Sequence, residues 1–442
     1  MAPRVGIPWI LARIAAAALI VAGVSACGKG GAVTGANASA TPGQSCQATV
    51  LDTLGKVVKR VYREGVHSER TIVATQLITR SVALREALEH NDPAAARAAA
   101  RALVARGKIA DLIVTSLRGL TLADVGGAAL APFSGSISGV RGQRIGSYVA
   151  SVWSDNGFLT ESSGIAEGAL TLRVGTHNLP GSSDLLPAQQ LPRQGAITIA
   201  GRPYQYYSLG GQVFPGGAGV RIYLTRSAAS TAQYCAAGAA GTTVNTLAHV
   251  AELIYAGEAG PRTLTQIHRV QHYRPLLEAV ARREPAASEA AIKKLLHQHI
   301  VRMRVYAGPS PGQGAVAGAG ASAGAGAAAG TPQPLADVGG PYVLAPVSAP
   351  LRLQGRTVGT LVLSIQDDEG YLRLARRLAG LRVLMFMGTR LVKNSLGPNP
   401  GHVPETGRYE YGNRSWRVFT LHATAFPSGP LTIRVLTPIP YP

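Results

Sequence analysis

The residues best suited to chemistry sit in one short block: Val149, Ser151, Trp153 and Asp155. Alternate residues of an extended strand face one side, so the block would set an indole beside a carboxylate. That pairing suits a cationic or amine-bearing ligand. Arg173 and His177 follow and could grip a carboxylate, while Tyr204 and Tyr206 lie on one face of a later strand. A plainer reading stays open, with Trp153 in the core and Asp155 capping a short helix. A second set stands further on. Gln366 takes the place of Trp153, Asp368 is kept, and Arg382, Arg390, Trp416 and His422 are looser candidates. Keeping the Asp while losing the aromatic favours the capping role. It also implies that the two sets do not bind one ligand alike.

Other chemistries find little support. His268 and His272 stand four apart on an expected helix, a spacing that can share a metal, but no Glu lies between them and no third ligand is spaced to join. Gly135-Ser136-Ile137-Ser138-Gly139 has Ile at its centre and is no nucleophile elbow. The Gly-rich run at 316–330 lacks the Lys-Ser/Thr ending of a phosphate loop. Asp367-Asp368 fits a strand end meeting a helix start, where negative charge opposes the helix dipole. The reading is therefore of a non-enzyme with no cofactor and no metal.

The two sets belong to a duplication. Leu122 to Gly127 reads Leu-Ala-Asp-Val-Gly-Gly, and Leu335 to Gly340 repeats it 213 residues later. Gly142, Ser151, Asp155 and Gly175 match Gly355, Ser364, Asp368 and Gly388 at the same offset. A period this long means two copies of a domain, not a solenoid. In each copy a helical first part precedes strands. Val50, Leu54, Val57, Val58 and Val61 begin an amphipathic pattern, and Asn91-Asp92-Pro93 stops one helix and restarts another. The second copy has helices over 243–255, 264–283 and 286–299. Hairpins follow: 130–137 with 144–153, 343–353 with 357–365, and 202–209 with 220–225. The last pairs a strand over 409–420 with one over 431–437. A short helix over 371–378 lies between hairpins. The Pro-Gly-Ala-Ser run at 309–334 reads as a disordered insertion in the second copy.

Long helix, hairpin, short helix and further strands, together with the Asp-Val-Gly-Gly turns at 124–127 and 337–340 and the Gly-x-x-(Ile/Val)-Gly pattern at 142–146 and 355–359, resemble the Cache domain. This is a PAS-like sensor fold of bacterial extracytoplasmic proteins. The resemblance implies an α+β chain of two tandem Cache-like domains, 46–232 and 233–442. It also implies a pocket between each sheet face and the loops beyond the first hairpin, for a small carboxylate or amino-acid-like ligand.

The first 26 residues read as a secretory signal: Arg4, then a mostly apolar stretch, then Ser25-Ala26 before Cys27. This resembles the lipobox of bacterial lipoproteins and implies a lipid on Cys27. Residues 27–45 would be a flexible tether. That places the chain at the outer face of the cell membrane, where it would act through a membrane signalling or envelope partner, or serve as an assembly lipoprotein. The net charge of +20 often means nucleic acid, but an exported protein seldom meets any. The bases are scattered, as on a solvated surface, with attraction to anionic lipid headgroups or wall polymers as the sharper alternative. Cys46 and Cys235 either pair, as leftover cysteines of exported chains usually do, or remain separate thiols.

Overall fold

The computed structural model describes residues 42–257, 261–296, 300–308, 333–341, 343–425 and 429–442. Cys27, the leader, most of the tether, His297–His299 and nearly all of the 309–334 insertion lie outside them.

The helices begin where side chains can satisfy backbone N–H groups. Helix α1 is Pro42–Glu64 and α2 is Glu69–Thr79; α3 is Val82–Glu89 and α4 is Pro93–Ala105. Ser68, Ser81 and Asp92 cap α2, α3 and α4 by accepting from Thr71, Leu84 and both Ala94 and Ala95, and Pro93 opens α4 as its sequence suggests. Strands β1 (Asp111–Ser116), β2 (Thr121–Gly126), β3 (Ala129–Leu130), β4 (Phe133–Ser138), β5 (Arg144–Ser151) and β6 (Trp153–Ser154) follow, then α5 (Asp155–Ala166). The first copy ends with β7 (Ala169–Val174), β8 (His177–Asn178), β9 (Gln194–Ile199), β10 (Arg202–Gln212) and β11 (Gly219–Ser227).

A short α6 (Ala228–Ala232) leads into the second copy. The helices recur as α7 (Ala239–Gly257), α8 (Pro261–Gln271), α9 (Arg274–Ala281) and α10 (Pro285–Leu296). The strands recur as β12 (Arg302–Ala307), β13 (Ala336–Gly339), β14 (Val343–Leu344), β15 (Val347–Leu353), β16 (Arg356–Ser364) and β17 (Gln366–Asp367). Helix α11 (Asp368–Ala379) precedes β18 (Arg382–Met387), β19 (Arg390–Asn394), β20 (Gly407–Tyr411), β21 (Arg414–Ala425) and β22 (Gly429–Pro438).

The fold is α+β, but each copy carries two main sheets where one was expected. A four-stranded sheet in the order β2-β1-β5-β4 recurs as β13-β12-β16-β15, and a five-stranded sheet in the order β8-β7-β11-β10-β9 recurs as β19-β18-β22-β21-β20. Two-stranded ladders, β3-β6 and β14-β17, sit between the sheets of each copy. The expected strand at 130–137 is split because Ala131 has φ +54°, and the expected strand at 409–420 is two strands because Gly412 and Asn413, both at positive φ, make a tight hairpin.

The echoed residues mark these joints. Asp-Val-Gly-Gly is not a turn: Asp124 to Gly126 and Asp337 to Gly339 lie in β2 and β13. Gly126 and Gly339 sit at φ +148° and +138°, and a Cβ on either would stand 2.5 Å from the Cα of Asp111 or Arg302. Ser151 Oγ donates to the Leu130 carbonyl at 2.5 Å and accepts from the Trp153 N–H at 3.1 Å. Ser364 does the same with Leu344 and Gln366. One hydroxyl thus ties each small ladder to the larger sheet.

The two copies share one core. Helices α1, α5, α7 and α11 lie between the two five-stranded sheets, with Val57, Val58 and Val61 of α1 and Leu247, Val250 and Ile254 of α7 buried together. The arrangement is pseudo-two-fold. Tyr62 of α1 meets Phe158 of α5 edge-on at 6.1 Å, and Tyr255 of α7 meets Tyr371 of α11 edge-on at 6.0 Å. Each four-stranded sheet has its own smaller core with helices α2–α4 or α8–α10. Among the described residues no helix is long and apolar enough to cross a membrane.

Candidate functional site

Trp153 is a core residue. It is 8% exposed, its Nε1 donates to the Val61 carbonyl at 3.1 Å, and its ring meets Phe158 edge-on. Arg70 covers the ring at 4.9 Å. The expected common face of Ser151, Trp153 and Asp155 does not form, because β5 ends at Ser151 and Trp153 belongs to the separate ladder with β3. Asp155 opens α5 but does not cap it. Ser154 does, accepting from Gly157 N at 3.1 Å. Asp155 is buried, its Oδ1 has no hydrogen-bond partner, and burial raises its pKa. Asp368 is likewise preceded by the true cap, Asp367, which accepts from Gly370 N at 2.6 Å. Asp368 pairs with Lys393 at 3.4 Å.

Gln366 occupies the position of Trp153, since Leu344 pairs with it as Leu130 pairs with the Trp. The smaller, polar side chain opens a cleft of about 710 Å³ between the copies. Arg70 of α2 lines one side; Arg373 and Arg377 of α11 line another, with Gln266 of α8 and Asp367 completing the rim. Gln366 is 3% exposed, and neither its Oε1 nor its Nε2 has a hydrogen-bond partner. An unmatched buried amide costs roughly 1–3 kcal/mol. Arg377 is also ion-paired to Glu64 of α1, across the two copies. The chemistry of the cleft is guanidinium-rich, with one carboxylate, Asp367, and two amides, Gln266 and Gln366, able both to donate and to accept. Arg70, Arg373, Arg377 and Gln266 escaped sequence reasoning. Arg373 and Arg377, spaced i, i+4 on the polar side of α11, were the available signal; no spacing announces Arg70, which comes from the other copy.

The remaining candidates separate. Arg173 is 1% exposed and holds the loop after β8, donating to Asn178 Oδ1 at 2.9 Å and to the carbonyls of Pro187 and Gln189 at 2.8 and 3.1 Å. His177 is exposed at the sheet edge. Tyr206 is buried with Tyr223 in a small apolar cluster that Tyr204 borders. Trp416 is core, its Nε1 donating to the Tyr411 carbonyl at 3.3 Å. Arg382 donates to the Ser395 carbonyl at 3.1 Å. Arg390 and His422 are exposed on β19 and β21. His268 and His272 have ring centres 4.1 Å apart, and no group of three or more described His, Cys, Asp or Glu residues is placed to hold a metal. Cys46 and Cys235 are bonded, with Cα atoms 5.7 Å apart.

No known protein family and no curated protein matches the chain. Solved structures resemble parts of it weakly. The ligand-binding domain of the Pseudomonas fluorescens chemoreceptor CtaA in complex with L-isoleucine is 10% identical, covering 43% of this chain and 96% of its own, with a TM-score of 0.27. The periplasmic domain of Vibrio cholerae LuxQ is 10% identical over 41% of this chain and 98% of its own, TM-score 0.26. The ligand-binding domain of the Campylobacter jejuni chemoreceptor Tlp3 in complex with 4-methylisoleucine is 11% identical over 43% and 93%, TM-score 0.25. Scores this low carry no weight for function, and the fold rests on the strand order and register above.

Proposed function

We propose that this chain is a lipid-anchored, extracytoplasmic ligand-binding protein of two Cache-like copies, 46–232 and 233–442, with no catalytic step. Its inter-copy cleft would take a small carboxylate or amino-acid-like ligand and pass the outcome to a membrane partner. The observation that carries this reading is the Gln366 amide, buried and unmatched on both atoms in a cleft ringed by guanidinium groups. A carboxylate on Arg70 and Arg373 would find charge-assisted donors, an amine would find Asp367, and either could use the amide. The lipid on Cys27 and the membrane partner are supported by the Ser25-Ala26-Cys27 sequence alone.

A thermal-shift screen of amino acids, carboxylates and purines tests the cleft, run on the wild type and on Gln366→Trp, which restores the residue that fills the first copy. One ligand class should raise the wild-type Tm, since binding at 100 times Kd stabilises by about 2.7 kcal/mol, and the variant should not respond. A flat screen would overturn the reading. Recovery of a crosslinked envelope protein would then favour an assembly lipoprotein.

A further inference from the structure

We propose a second binding site, for an extended polyanion, that crosses β10 of the first copy's five-stranded sheet at Gly210, from the face packed on α1 to the opposite face. Two contiguous cavities of about 280 and 520 Å³ share Gly210 and Arg221. Lys59 and Arg193 line the first and Arg173 the second, and no Asp or Glu lines either. This separates the groove from the inter-copy cleft, whose rim includes Asp367.

Arg221 of β11 stands directly opposite Arg173 of β7. Like charges at such a position repel, and Arg173 is almost wholly buried. Its described partners are neutral carbonyl and amide oxygens, not a carboxylate. The nearby acids are engaged elsewhere: Asp184 holds the Asn178 amide at 3.3 Å, and Asp52 pairs with Lys56 at 3.1 Å. Lys59 and Arg221 have no side-chain partner among the described residues, and Arg193 donates only to Tyr207 Oη, at 2.8 Å. Opposite Arg221 on its other side is Gly210, where an added Cβ would meet nothing within 4 Å, so the floor between the two cation pairs is bare backbone. The second copy lacks the device: the positions of Arg173 and Arg221 hold Phe386 and Thr432, opposite one another. A ligand with oxyanion groups along its length would bridge Lys59 and Arg193 at one end and Arg221 at the other, supplying the negative charge that Arg221 and the buried Arg173 beside it lack.

Calorimetric titration of the chain beginning after Cys27, which keeps the compact unit Asn37–Pro442 whole, tests this with tripolyphosphate and orthophosphate as probes. Tripolyphosphate should bind at least about tenfold more tightly than orthophosphate, and weaken as salt rises. Arg221→Gln and, independently, Lys59→Gln should each weaken it several-fold or more. Arg408→Gln, in an exposed ion pair of the second copy, and Gln366→Trp should leave it unchanged. Equal affinity for the two phosphates, equal loss in Arg408→Gln, or indifference to both groove variants would overturn the site.

Discussion

Asp111 and Arg302 hold equivalent positions, each opposite the glycine that ends its neighbouring strand and the serine that ends the next. In the second copy Arg302 and Arg304 pair with Asp337 at 2.8 and 2.6 Å. Burial alone would raise the Asp337 pKa, but the two guanidinium groups hold it below the ordinary value. The first copy has Ile113 in place of Arg304 and sets Asp111 near Asp124. Burial, with a smaller push from Asp124, raises Asp111 to about 6. A carboxyl raised on folding holds more protons in the native state between its unfolded pKa, about 4, and about 6. Stability should therefore fall as pH rises through that window and stay lower above it. Asp111→Asn should remove that residue's share of the slope, melting a few degrees above the wild type at pH 7.5 and losing that advantage at pH 4. A Tm difference that does not change with pH would sink this account.

At the scale of elements, the Ser151 and Ser364 knots decide where each large sheet hands over to its small ladder. Ser151→Ala or Ser364→Ala leaves a buried carbonyl and a buried N–H unmatched, a loss of roughly 1–3 kcal/mol. It should read as a lower urea midpoint with an unchanged slope; an unaltered midpoint would show the knots to be ornamental. The repeat, the Asp92-Pro93 helix start and the α+β class could be read from the residues, because that cap and the periodicity are local, whereas the caps of α5 and α11 fell one residue before the expected Asp155 and Asp368. The second sheet in each copy could not. The ladders at the junction of the two sheets, β3-β6 and β14-β17, are two residues long, and a positive φ at Ala131 or Ala345 leaves no mark on hydropathy. Trp153 reads as a ligand group or as core from sequence alone; only the position of α1, whose Val61 carbonyl accepts from its indole N–H, decides. The cleft was half legible. Gln366 stood out by comparison with Trp153, but the arginines around it meet only when α2 of one copy packs near α11 of the other.

The whole molecule is a fused pair around a common core, clasped at two places. The Cys46–Cys235 bridge joins the start of α1 to the α6–α7 connection, closing a loop of 189 residues. Tyr441, buried near the C-terminus, donates to the Ala379 carbonyl at 2.9 Å, while its own carbonyl accepts from Lys56 at 3.0 Å. Cys46→Ser with Cys235→Ser should lower stability by roughly 2–5 kcal/mol, seen as an earlier denaturant midpoint without change of fold by circular dichroism; an unchanged midpoint would remove the bridge from the account. The shared core also sets an order in time. A nascent polypeptide halted at residue 232 would present Val57, Val58 and Val61 with no counterpart from α7, leaving a greasy seam open to proteases and to other unfinished copies. Only once synthesis reaches the far half can the near half be sealed, so the protein matures last at the place where it began.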